Sequence, residues 1–103
     1  MSNYYSQKKY DLIGFRKSTK KNAKYDAILE NKKKNKKIVI VSFGAIKQDG
    51  IPYAQYRDNV PLGLYSKYDH LDEERKEKYL KRHSKDINKP YSKSWLSKVF
   101  LWT

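Results

Sequence analysis

Two histidines, His70 and His83, are the only imidazoles in a 103-residue chain that has no cysteine. Thiolate chemistry and disulfides are therefore excluded, and only these two side chains can supply a ring nitrogen to a reaction or a metal. His83 precedes Ser84, and Asp69, Asp72 and Glu73 lie near His70 in the sequence. Neither arrangement is diagnostic, because a nucleophile and its base are brought together in space. A site of two histidines and one carboxylate likewise has no characteristic spacing here. Helix capping or packing accounts for both residues. Gly44, Gly50 and Gly63 are scattered, so no glycine-rich loop offers a phosphate cradle. The sequence assigns no catalytic residue, no metal ligand and no cofactor.

The chemistry in which the chain is rich is that of the ammonium group. Lys and Arg number 24 against 11 Asp and Glu, a formal charge of +13, and the pI is near 9.8. That exceeds what solubility requires and points to a polyanion: nucleic acid first, then an acidic protein surface or anionic lipid. The charge is uneven, since residues 1–37 hold 12 of the basic residues and 3 of the acidic ones. Its densest stretch, KKKNKK, comprises Lys32, Lys33, Lys34, Lys36 and Lys37. Three readings stand side by side: a solvated turn, a prong that contacts phosphates, or a nuclear-localisation-like address. Lysine outnumbers arginine 20 to 4, and an ammonium lacks the bidentate fork that reads guanine edges. Contact with nucleic acid would then fall on the backbone and be indifferent to sequence. Lys8, Lys9, Arg16, Lys17, Lys20 and Lys21 form a second patch.

Tyrosines interleave with these cations, as in NYYSQKKY, AKYD, YAQYRD and LYSKYDH. Exposed rings would stack on the bases of a single strand, at about 1–3 kcal/mol per base. Alternatively Tyr25, Tyr53, Tyr65 and Tyr79 are core or rim residues with solvated hydroxyls. Tyr4 and Tyr5 lie in a stretch too polar to fold alone. Trp95 and Trp102 have the same two readings, as core anchors or as a patch that docks on a partner, and Trp102 needs tertiary contacts or a neighbouring chain to hold it.

These groups need a scaffold. A chain of this length supports one modest core, burying roughly 60–70% of the surface exposed by its unfolded form. A mean hydropathy of -1.03 would by itself suggest disorder, but aromatics make up 15% of residues and bring large buried areas. Residues 10–103 are therefore expected to form a single small domain, with residues 1–9 a flexible tail of basic and tyrosine residues. No apolar signal core and no stretch near the 18 or so apolar residues of a membrane span is present, so membrane insertion is not expected.

Residues 10–15 (YDLIGF) read as a first strand, weakened by Gly14. In KYDAILEN, Tyr25, Ala27 and Leu29 alternate with Asp26, Ile28 and Glu30, a period of two. Residues 38–43 are apolar on both faces and are expected to be the most buried strand, at the centre of the sheet. The lysine run between these strands is then the solvated tip of a β-hairpin. Residues 44–68 hold three of the four glycines and two of the three prolines and read as loops and turns. From 72 to 83 the pattern is helical: Asp72, Glu73 and Glu74 lead, while Lys81, Arg82, His83 and then Lys85 close, which suits the macrodipole. Asp72–Lys76, Glu74–Lys78 and Glu77–Lys81 are i,i+4 pairs of about 0.2–0.5 kcal/mol each. A thin stripe of Leu71, Tyr79 and Leu80 suggests a helix lying on the sheet at the surface. After Pro90, Ser92 or Ser94 caps a short helix, or else an extended segment packs on the sheet, with Trp95, Val99 and Trp102 on one face. The expected class is α+β, a small antiparallel sheet (hairpin) with one amphipathic helix and an aromatic C-terminal segment.

The succession VSFGA (41–45), YAQYRD (53–58), PLGLYSKYDHLDEERKEKYLKRHS (61–84) and YSKSWLSKVFLW (91–102) resembles a family of small, uncharacterised basic proteins of large (giant) double-stranded DNA viruses. Members of that family look like a hairpin running into an FGA or FGS turn, a YxxYxD segment, an HxDxxRKxxYxxRH helix and a tryptophan-bearing end. Here the helix motif falls on His70, Asp72, Arg75, Lys76, Tyr79, Arg82 and His83, while the lysine tip and tyrosine tail lie outside the pattern. The resemblance implies a virion-associated protein, found in the virion and in host cytoplasm or nucleus during infection, and brings no activity with it. The leading expectation is thus a non-enzymatic protein that binds the nucleic-acid backbone, with Lys32, Lys33, Lys34, Lys36 and Lys37 as its main contacts. The alternative is a minor capsid or cement protein that threads between acidic capsid neighbours and docks Trp95 and Trp102 in a larger subunit. A small nuclease using His70 or His83 ranks third.

Overall fold

A computed structural model describes residues 5–33, 35–84 and 89–103; Tyr4, Lys34 and Lys85, singled out above, lie outside them. Three strands, β1 (Tyr10–Lys17), β2 (Ala23–Asn31) and β3 (Ile38–Ala45), form one antiparallel sheet in the order β1-β2-β3. The alternation in β2 sends Tyr25, Ala27 and Leu29 to the covered face, where all three are fully buried. Across the register they meet Phe43, Val41 and Val39 of β3, and Ala27 and Leu29 also meet Phe15 and Leu12 of β1. A register shift between Leu12 and Gly14 turns Ile13 outward.

The central strand is β2, not the apolar 38–43 segment. β3 is an edge strand, and only one of its two apolar faces is covered: Phe43 is buried, whereas Ile38 and Ile40 are 46% and 38% exposed. The face carrying Ile13, Ile38 and Ile40 receives neither helix. β2 and β3 do form the expected hairpin with lysines at its tip, closed by Asn31 N–H donating to the Lys37 carbonyl at 2.8 Å. Asn35 and Lys36 take the left-handed conformation there, at φ 51° and 52°.

The chain leaves β3 through Gly44 at φ 79°, where a Cβ would stand 3.0 Å from Lys24 Cβ and 3.1 Å from Leu101 Cδ1. The missing side chain lets the end of the last helix close on the sheet. Residues 46–72 then run as loops with a 3-10 turn at Ser66–Tyr68. They are pinned at both sides, for Asn59 and Arg57 donate to the carbonyls of Phe100 and Leu101, and His70 and Leu71 donate to those of Gln55 and Tyr56.

Helix α1 (Glu73–Arg82) has the expected caps: the Asp72 carboxylate accepts from the amides of Glu74 and Arg75, and His83 closes the other end. The Glu74–Lys78 pair forms at 3.6 Å, but Asp72 is committed to capping and Lys76 turns to Glu73 instead. Contrary to expectation, the helix that lies on the sheet is α2 (Lys93–Leu101), which packs on β3. The C-terminal segment is thus a second helix, capped by Ser92, whose hydroxyl accepts from Trp95 N–H at 3.1 Å. Its core face also differs from the expected one: Leu96, Ser97 and Leu101 are buried, and Phe100 meets Phe15 and Phe43 at 4.8 and 6.3 Å between centroids. Trp95 and Trp102, on the other stripe, pack at the rim of the core. Tyr25, Ala27, Phe43, Val60, Tyr65, Leu96 and Leu101 form its centre, each large side chain contributing about 1.5–3 kcal/mol of burial.

Candidate nucleic-acid interface

The lysines expected to bind phosphate do not form one main site and one secondary patch. Pairing of Tyr10 with Asn31 brings the start of β1 beside the hairpin tip. Lys32 N–H donates to the Lys9 carbonyl at 2.9 Å, and Lys32 Nζ donates to the Gln7 carbonyl at 2.9 Å. Lys8, Lys9, Lys32, Lys33, Lys36 and Lys37 therefore share one end of the sheet, and all six are exposed. Only two acids temper them: Asp11 stands 3.5 Å from Lys32 and Glu30 stands 3.9 Å from Lys36. Tyr5 and Tyr10 lie at the same end, edge to face with each other at 5.2 Å.

Arg16, Lys17, Lys20 and Lys21 lie at the opposite end of β1, about 25 Å away at 3.3 Å per residue. Arg16 is drawn inward, its Nε 2.9 Å from the buried Asp26 carboxylate. Burial raises the pKa of Asp26, but hydrogen bonds from Ser42, Ser18 and Arg16 outweigh it and the net shift is downward. Arg16 thus has a structural anion of its own.

Lys24 was not singled out from sequence, and it is 2% exposed. Its Nζ donates to Gln55 Oε1 at 2.5 Å and to the Tyr53 carbonyl at 2.6 Å. Gln55 in turn donates to the Tyr65 carbonyl and to Asp69. Asp58 accepts from the Tyr25 hydroxyl at 2.6 Å and from the amides of Val60 and Tyr65, while Leu64 N–H donates to the Tyr25 oxygen. Burial lowers Lys24 to about 8, against the pull of Asp58 and Asp69. Burial first, and then the bond to Asp58, push Tyr25 well up. The hydroxyls of this region are therefore not uniformly solvated, and the YAQYRD stretch ties the 46–72 loops to β2.

The two histidines stand in a file of rings. His83 meets Tyr79 at 4.4 Å, Tyr79 lies parallel to Trp102 at 4.1 Å, Trp102 meets His70 at 5.3 Å, and His70 meets Tyr56 at 6.2 Å. His70 Nδ1 accepts from Asp72 N–H at 2.9 Å, which places the neutral ring's proton on Nε2. Burial, and then Arg75, lower the His70 pKa against Asp72 and Asp69. Lys76 sits 4.5 Å over the Tyr56 ring. Both histidines act here as packing and turn-forming groups.

Beside this file is a feature that reading along the chain missed: an open groove of about 530 Å³ lined by Arg75, Lys78, Lys81, Arg82 and Trp102. Arg75, Lys78 and Arg82 have the i, i+3, i+7 spacing of one helix stripe, a signal present in the sequence. Trp102 comes from beyond α2, and only the tertiary fold brings it there. Among the described residues, no group of three or more His, Asp or Glu side chains is arranged to hold a metal, and no helix is long and apolar enough to cross a membrane. Compared with protein-family models, curated proteins and solved structures, the chain matches none of them.

Proposed function

We propose that this is a non-enzymatic basic protein of a large DNA virus, virion-associated, that binds the nucleic-acid backbone without reading sequence. The observation that carries the reading is the gathering of Lys8, Lys9, Lys32, Lys33, Lys36 and Lys37, from two separate segments, at one solvent-facing end of the sheet. Point charges without a fork suit phosphate and not base edges. The test is binding to mixed-sequence duplex DNA between about 50 and 300 mM salt, a range over which screening grows strongly. The parent should lose affinity steeply and equally on all sequences. Replacing Lys32, Lys33, Lys34, Lys36 and Lys37 by Gln should lower the slope of log affinity against log salt by about four, near 0.9 per lost phosphate contact. An unchanged slope removes the hairpin from the proposal, and weak binding by the parent at low salt removes nucleic acid.

One observation favours a second reading, a minor capsid or cement protein. The open sheet face exposes Ile13, Ile38 and Ile40, apolar area that a larger subunit would cover. Docking then shifts from Trp95 and Trp102, which pack on this protein's own core, to that face. A cement protein stays with the disrupted shell at fixed stoichiometry, whereas a genome-binding protein leaves with the nucleic acid.

A further inference from the structure

We infer that the groove between α1 and Trp102 is a second nucleic-acid site, specialised for a single strand, in which Arg75, Lys78, Lys81 and Arg82 take phosphates and the Trp102 indole stacks on a base. The inference rests on the nucleic-acid reading above and adds the strand class. Four of the five lining side chains are cationic and the fifth is a large ring. Among the described residues, Arg75, Lys81 and Arg82 have no ion-pair partner, and only Lys78 is paired, with Glu74 at 3.6 Å. Glu74 and Glu77 border a separate groove with Lys78, Leu80 and Lys81, so α1 keeps its acids off the wall that Trp102 faces. The indole is held flat by Tyr79, 4.1 Å away and 3° from parallel. It is therefore already ordered when a ligand arrives, and little side-chain freedom remains to be lost on binding.

Duplex bases are stacked on one another and closed to an aromatic wall, whereas every base of a single strand presents a free face. Cations beside a presented ring are the combination that single-strand grooves use. Arg75 and Arg82 lie about 10 Å apart along the helix axis at 1.5 Å per residue, so the cations track a length of backbone.

The chain has two tryptophans, so Trp95→Phe leaves Trp102 as the only indole. The probe is an oligothymidylate of about 12 nucleotides, with a mixed-sequence duplex and inorganic polyphosphate as comparisons. Titration of the oligonucleotide into the Trp95→Phe protein should quench the emission saturably. Arg75→Gln with Arg82→Gln should weaken single-strand binding about tenfold and lower its salt slope by about 1.4, near 0.7 per contact, with duplex affinity and melting temperature held. Duplex binding with Trp102 emission unmoved at saturating oligonucleotide overturns this site alone. So does an unchanged single-strand affinity in the double variant, or displacement of the oligonucleotide by polyphosphate at equal charge concentration. Failure to bind either duplex or single strand overturns the nucleic-acid reading and this inference with it.

Discussion

The hairpin end and the Trp102 end of the molecule are both basic, and they use charge in opposite ways. At the hairpin, lysines are displayed: six are exposed, and the acids nearest them stand 3.5 and 3.9 Å away. Around Gln55, Asp58 and the ring file, charges are fixed by partners on several elements, and Lys24 is sealed under the loops. The lesson concerns what a charge count means. Lys24 and Arg16 both add to the basic first third of the chain, yet one is buried and the other is paired with Asp26. The field a partner meets is thus narrower than the composition suggests, concentrated at the tip and along one stripe of α1.

The sharpest way to break this contrast is at Asp58. Its carboxylate accepts from one hydroxyl and two amides, and Asp58→Ala leaves all three without it. With charge-assisted bonds of about 1.5–3 kcal/mol and partly exposed partners that water can reach, a loss of about 3–5 kcal/mol is expected, a large share of a small domain's stability. Asp58→Asn, which keeps an acceptor oxygen, should lose roughly half of that. Urea unfolding measures both. An Asp58→Ala midpoint equal to the parent's would mean that the loops are held by the core alone.

A smaller effect separates the buried cation from the displayed ones. Lys24 drops from the ordinary 10.5 to about 8, so between these values the unfolded chain binds more protons than the folded one. Stability from this group therefore rises with pH through that window, by about 2 kcal/mol between pH 7 and 10. Tyr25 acts in the opposite sense: its raised pKa keeps the folded hydroxyl protonated after the unfolded one ionises, so stability falls above about pH 10. Tyr65 and Tyr79, raised chiefly by burial, add to that fall. The expected profile has a maximum on the alkaline side of neutrality. In Lys24→Met the rise from pH 7 to 10 should vanish while the fall remains; a rise that persists would assign it to another group.

Much of the scaffold was legible because it is written locally. The alternation of Tyr25, Ala27 and Leu29 marked β2 and its buried face, and the acids and bases around α1 marked its limits to the capping residues Asp72 and His83. Local pattern failed where the answer depended on what the rest of the chain covers. Ile38 and Ile40 look as buried as Phe43 until it is known that no helix reaches their face. Likewise α2 offers two apolar stripes, and the larger rings of Trp95 and Trp102 hid the fact that Leu96, Phe100 and Leu101 fit the space over Phe43. The groove was half legible. Its cations repeat at helical spacing, but its aromatic wall is brought from 20 residues beyond Arg82 by the docking of α2.

The smallest predicted effect on stability tests the displayed end directly. Replacing Lys32, Lys33, Lys36 and Lys37 by Gln removes one bond to the Gln7 carbonyl and two long, exposed ion pairs, and pairs of that kind contribute about 0–1 kcal/mol. It also removes mutual repulsion among four ammonium groups on one turn, which acts in the opposite direction. The strain at the left-handed Lys36 remains, because glutamine carries the same Cβ. Unfolding free energy should therefore stay within about 0.5 kcal/mol of the parent, in the same protein whose DNA binding loses most of its salt dependence. A loss beyond about 2 kcal/mol would mean that the tip is part of the folded architecture and is held by contacts of its own, and its lysines would then have a structural reason to be there that needs no polyanion.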